Sequence, residues 1–209
     1  MARKKTITRQ NILDAAFELV LDQGFSNFTA RNIAKWMSCS TQPIYLEFSC
    51  MDELKHAVLK RMQDYLVNEV YNQEYCDDGL INVALSYINL ARTNNNLYKA
   101  VFVEDHFGVN TMRDFTYQLA LSKVDDNPAA NNLPRDRKLN LVTGCWIIAT
   151  GMASLISAGY IDIRKEQMIN MLKAQIQDFI ENDRLNSEPS KMNLSHLKFD
   201  NKKVSKLQS

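Results

Sequence analysis

Chain breakers are scarce: the 209 residues include only six Gly and four Pro. So few leave little room for the many tight turns of a hairpin-rich β protein. Sustained two-residue alternation of apolar and polar side chains is also missing, so helices are expected throughout. The four cysteines, Cys39, Cys50, Cys76 and Cys145, show no paired metal spacing. They are expected to stay reduced in a cytoplasmic protein. Three histidines fall in no HxxxH or HExxH pattern, so neither a metal nor a cofactor is expected. The sequence has no glycine-rich phosphate loop, no G-x-S-x-G and no spaced acid pair suited to a cleft, and an enzyme is not the expectation. Residues 1–20 carry their charges within an amphipathic pattern and not ahead of an apolar run, so no signal peptide is expected.

Charge is nearly balanced at +1 but unevenly placed. Residues 1–62 hold nine Lys/Arg against six Asp/Glu, residues 63–182 ten against fifteen, and residues 183–209 six against three. A basic N-terminal module on an acidic body suits a polyanion partner at one end. One stretch is long and uncharged, the 23 residues "LNLVTGCWIIATGMASLISAGYI" from Leu139 to Ile161. Its length would span a bilayer, but Asn140, several hydroxyls and Gly144, Gly151 and Gly159 dilute it. Those glycines recur on one helix face, where another backbone can come close. A helix buried on most sides, or a subunit interface, is the expectation, with no membrane partner.

The N-terminal fifth is the most informative. "MARKKT" is a short basic arm. "TRQNILDAAFELVLDQGF" spaces Ile12, Leu13, Ala16, Phe17, Val20 and Leu21 helically, with Gly24 as the stop. "TARNIAKWM" begins at Thr29, a good N-cap, and continues to Met37. After "SCS" comes "STQPIYLEF", residues 40–48, with Pro43 near its middle. With Ser40 as N-cap, Pro43 falls in the first turn, whose amides have no helical partner, so it opens a helix over 41–48. The result is a helix-turn-helix.

The second helix of such a unit enters the major groove. Ser40, Thr41 and Gln42 would meet base edges, Gln42 bidentately on adenine and Thr41 on thymine. Pro43 adds an apolar, rigid surface. Tyr45 and Thr29 have groups for phosphate, and Arg31 for phosphate or guanine. Arg3, Lys4 and Lys5 would add nonspecific affinity. Beyond this head, helices are expected over about 51–75, 80–93, 96–104, 109–124, 135–159 and 164–182. Residues 186–209 read as a mobile tail.

These residues resemble the tetracycline-repressor (TetR) family of one-component bacterial regulators. The similarity lies in "ILDAAFELVLDQGF" (12–25), "TARNIA" (29–34), "CSTQPIYLEF" (39–48) and "DEL" (52–54). More weakly, "WIIATGMASL" (146–155) is similar to a segment of many members. The resemblance departs where the family usually has Gly and this chain has Ser38, and often another Gly where it has Gln42. Met51 stands where a phosphate-contacting lysine is common.

The resemblance implies an all-α chain with three parts: a DNA-binding domain over 1–50, a helical effector-binding and dimerisation domain over 51–185, and the tail. It implies a ligand-responsive repressor that binds a palindromic double-stranded operator as a homodimer. The effector would be a largely apolar small molecule, with Tyr65, Tyr87, Phe102, His106, Phe115, Trp146 and Thr150 as pocket candidates. Interface candidates are Gly144, Ile148, Gly151 and Leu155, with Met168, Leu172, Ile176 and Phe179 of the last helix at near-heptad spacing. Two other classes stay open. One is a helical ligand-binding or interaction dimer with a degenerate head; the other is an enzyme on a helical scaffold.

Overall fold

The computed structural model of the chain describes residues 7–104 and 111–185. Lys4 and Lys5 of the basic arm, His106 and the 186–209 tail lie outside them. Among the described residues every regular element is helical. In chain order these are α1 (Arg9–Gln23), α2 (Ala30–Trp36), α3 (Gln42–Glu47), α4 (Met51–Tyr65), α5 (Gly79–Thr93), α6 (Asn95–Tyr98), α7 (Thr111–Asp126), α8 (Arg135–Ser157) and α9 (Lys165–Glu181). The all-α expectation holds. Two π-helical turns were not foreseen. They extend α4 over Leu66–Val70 and α6 over Lys99–Val103, each closed by an amide bonding five residues back, Tyr71 to Leu66 at 2.7 Å and Glu104 to Lys99 at 2.8 Å.

The chain packs as two compact units. Of the described residues, the first holds those as far as Asn72 together with those of Leu90–Met112; the second holds Gln73–Asn89 and those from Arg113 onward. In the first unit α1 is the central element, packed on α2, α3, α4 and α6. Its start is fixed by Thr8, whose hydroxyl accepts from the Asn11 amide at 3.2 Å while the Asn11 side chain accepts from the Thr8 amide at 3.0 Å. Its end is fixed by Gly24 at φ 76°, a backbone conformation few other residues enter freely. Ile12, Ala16, Leu19 and Val20 form its buried stripe. Against α4, Phe17 meets the Tyr65 ring edge-on at 5.5 Å, and Arg61 lies over the Phe17 ring while pairing with Asp14 at 2.8 Å.

In the second unit the dominant pairing is α8 with α9. Gly144 permits it: a Cβ there would lie 2.5 Å from Phe179 Cζ and 2.7 Å from Gln175 Nε2. Arg137 donates to the carbonyls of Phe179 and Ile180 at 2.9 and 3.0 Å, placing a cation where the α9 dipole is negative. α8 is long and apolar enough to cross a membrane by length and composition, and half of its most apolar stretch is buried inside the chain.

Candidate nucleic-acid interface

α2 starts where the sequence indicates, with the Thr29 hydroxyl accepting from the Asn32 amide at 3.2 Å. It ends in a Schellman turn, in which the Cys39 amide bonds to the Ala34 carbonyl at 2.9 Å and the Ser38 amide to the Lys35 carbonyl at 3.0 Å. That turn needs a left-handed residue, and Ser38 takes it at φ 53°. A serine pays a steric cost there that glycine does not. Ser38→Gly is therefore expected to stabilise the head by about 1 kcal/mol, which thermal unfolding would read as a rise of roughly 2–4 °C. A fall in melting temperature would show that the Ser38 side chain contributes something this geometry does not reveal.

The start of α3 corrects the sequence reading by one residue. The N-cap is Thr41, not Ser40, because the Ile44 and Tyr45 amides both reach the Thr41 carbonyl, at 3.1 and 3.4 Å. Thr41 has turn dihedrals and no side-chain cap. Pro43 remains inside the first turn, where it blocks no hydrogen bond. Ile44 and Phe48 are buried, anchoring one side of this short helix. Ser40, Thr41 and Gln42 are exposed, and Tyr45 is 53% exposed. Thr29 and Arg31 are also exposed, and Pro43 is half-buried. The described residues expected to contact DNA thus lie on α3, its approach and the start of α2.

Sequence reasoning missed the clamp that holds α3. The Arg9 guanidinium sits 3.9 Å from the Phe48 ring centroid, donates to the Glu47 carbonyl at 2.6 Å, and pairs with Glu53 at 2.9 Å. The other Glu53 oxygen accepts from the Ser49 amide and hydroxyl at 2.7 and 2.8 Å. One arginine from α1 thereby joins the end of α3 to the first turn of α4. Arg9 and Glu53 stand 44 residues apart, too far for any local pattern to link them. The legible part was an acid at the third position of α4, where a capping box carries one. Lys35, Trp36 and Leu46, exposed on α2 and α3, were also missed.

The Ser49 backbone and side-chain hydrogen bonds, then Arg9, hold the Glu53 carboxyl at about 2 against an ordinary 4.5. A depressed carboxyl contributes stability above its unfolded value and loses it as pH falls through the folded one. The melting-temperature advantage of wild type over Glu53→Gln should be full above pH ~4.5 and vanish toward pH ~2. A gap that persists unchanged to pH 2 would mean the carboxylate is not the source.

The pocket candidates are not gathered in one place. Tyr65 packs on Phe17, and Phe102 is buried beside Tyr98 at 6.0 Å, both in the first unit. Phe102 serves as core, as aromatic residues at helical spacing commonly do, and Tyr65 is half-buried. Tyr87 and Trp146, in the second unit, do meet, with ring centroids 5.1 Å apart. They line a cavity of about 20 Å³ with Leu80, Thr116, Val142 and Ala149, room for a water or two. Phe115 and Thr150 are half-buried, outside that lining. Cys145 is buried, and desolvation, with the Asp78 charge adding to it, pushes its thiol up to about 12. It is therefore a packing residue and not a reactive one.

Among the interface candidates, Met168, Leu172 and Ile176 are already buried within the chain, and Gly144 is covered by Phe179 and Gln175. Three of the near-heptad residues of α9 are thus packed inside the chain. Ile148 and Phe179 are half-buried, while Gly151 and Leu155 are exposed. Ile147 and Met171 join them as exposed apolar side chains.

Comparison with solved structures finds a protein from Vibrio parahaemolyticus described as a candidate transcriptional regulator of the TetR family. It matches at a TM-score of 0.56 and 20% identity over 81% of this chain and 96% of that one. The fold is that of the TetR family. No protein-family model and no curated protein matches the sequence. At 20% identity the TetR likeness is one of backbone fold.

Proposed function

We propose that this chain is a cytoplasmic, ligand-responsive transcriptional regulator that binds a palindromic operator as a homodimer. The observation that carries the reading is the two-sidedness of α3. Ile44 and Phe48 are buried, whereas Thr41, Gln42 and Tyr45 face solvent on a helix held by Arg9. Exposed Arg31 and Lys35, one turn apart on α2, supply cations for phosphate beside it. In this reading each protomer reads one half-site, with the two separated by about 34–36 Å.

The homodimer face we assign is the exposed apolar strip of α8 and α9, formed by Ile147, Gly151, Leu155 and Met171. The space over Gly151 is open, with no atom within 4 Å of a Cβ placed there. The effector would be a small, mostly apolar molecule taken up in the second unit at the Tyr87–Trp146 cavity, which must widen to admit it. It acts only by binding a DNA-incompetent state better than the competent one.

The test is selection of bound duplexes from a random library at low and near-physiological salt. A palindrome with half-sites one helical turn apart, lost on Gln42→Ala or Tyr45→Ala, is the expected result. No enrichment at either salt would leave the fold without a DNA-reading function. For the dimer, Leu155→Glu should shift the sedimentation coefficient to that of a monomer while leaving the helical circular-dichroism signal intact. A Leu155→Glu protein that still sediments as a dimer would remove this face from the reading.

A further inference from the structure

Leu46 is the most exposed large apolar side chain of the helix-turn-helix, at 71%. At 100° per residue it stands about 180° from the midpoint of the buried Ile44 and Phe48, pointing straight away from the head. Gln42 lies one turn earlier on the same face. Leucine at that position adds little to the packing of the head. We infer that Leu46 is a specificity-determining residue, reading the C5-methyl of a thymine beside the base pair engaged by Gln42. This rests on the DNA-reading function proposed above.

Three features favour a base methyl over a protein surface. The outward residues of α3, Gln42, Tyr45 and Leu46, include no acid that would repel a phosphate backbone. The acid of this helix, Glu47, is half-buried, with one carboxylate oxygen enclosed by the fold. Exposed Arg31 and Lys35 on the preceding helix complement a polyanion. In a major groove, thymine alone of the four bases offers an apolar group, and a short apolar side chain is its natural partner. Gln42 selects adenine by two hydrogen bonds, so together the pair would demand adjacent A·T steps in the half-site.

The experiment uses the full chain and the operator recovered by duplex selection. Each thymine of one half-site is replaced in turn by deoxyuridine, which removes the methyl and keeps every Watson–Crick bond. Wild type should lose about three- to fourfold in affinity at one position, the size expected for one buried methyl. Leu46→Ala should bind the natural operator more weakly and be indifferent to deoxyuridine at that position. Its melting temperature should stay within a degree of wild type, since the side chain it shortens is exposed.

Equal losses in wild type and Leu46→Ala at every thymine would overturn the inference while leaving the regulator reading intact. So would a Leu46→Ala defect of the same size on nonspecific DNA, which would assign Leu46 to sugar carbons. Retained operator affinity in Leu46→Ala with a change in sedimentation would assign it to a protein contact and overturn the inference as well. If selection recovers no operator, the regulator reading falls, and this inference with it.

Discussion

Phe48→Ala is expected to cost about 3–5 kcal/mol, the range for emptying a fully enclosed aromatic site. The Phe48 ring is 1% exposed, closes the end of α3, and carries the Arg9 guanidinium on its face. Removing it leaves a cavity and strips the clamp of the surface on which it rests. The head should melt roughly 10 °C earlier, and operator binding should fall further than stability does. The reason is that, in the proposed reading, Gln42 and Leu46 meet bases only while α3 is held. Differential scanning calorimetry checks the first claim and duplex titration the second. Phe48→Leu, which retains much of the volume, should recover most of the stability. An unchanged melting temperature in Phe48→Ala would mean that α3 is anchored by Ile44 alone.

The second large effect lies at the α8–α9 contact. Gly144→Leu should destabilise the second unit by about 2–3 kcal/mol through overpacking. The atoms that a Cβ would strike first, Phe179 Cζ and Gln175 Nε2, are the far ends of side chains that can rotate. Gly144→Ala should therefore cost no more than about 1 kcal/mol, and the difference between the two variants is the informative quantity. Both are read by thermal unfolding. Because Arg137 ties the end of α9 to α8 beside this contact, through the Phe179 and Ile180 carbonyls, the leucine should splay the pair without releasing α9. A leucine variant as stable as the alanine one would show that the helices slide apart at little cost.

The sequence was most legible where a local rule has a local cause. Thr29 caps α2 because its hydroxyl reaches an amide three residues on, and Pro43 falls in a first turn because it breaks any other. Gly24 stops α1 because its φ is positive. These depend on near neighbours, and near neighbours are what a sequence displays. The cap of α3 came out one residue off because Ser40 and Thr41 are both acceptable caps, and the choice is made by the Schellman turn at Ser38.

The clamp was illegible for the opposite reason. Arg9, Phe48, Glu47 and Glu53 come from three helices, and nothing in their spacing singles them out. In α9 the period was legible and the partner was not. Met168, Leu172 and Ile176 recur as a seam should, but an apolar seam does not say whether it meets its own chain or a copy. The aromatic residues carry the same ambiguity, since at helical spacing most are core. Of six described pocket candidates, Tyr87 and Trp146 line the cavity, while Phe102 is core in the first unit and half-buried Tyr65 packs on Phe17 there.

The π turns at Leu66–Val70 and Lys99–Val103 each hold one residue more than an α-helical path would use. Such a turn behaves as an insertion absorbed without breaking the helix. Deleting one residue within Leu66–Val70 would restore the regular hydrogen-bond ladder and turn the entry of the following chain by about 100°. Homologous helices of different length here would then be out of phase by single residues after Tyr65. An alignment that allows no gap at this point would pair the wrong faces of every helix that follows, even where the α1–α4 segment aligns without error.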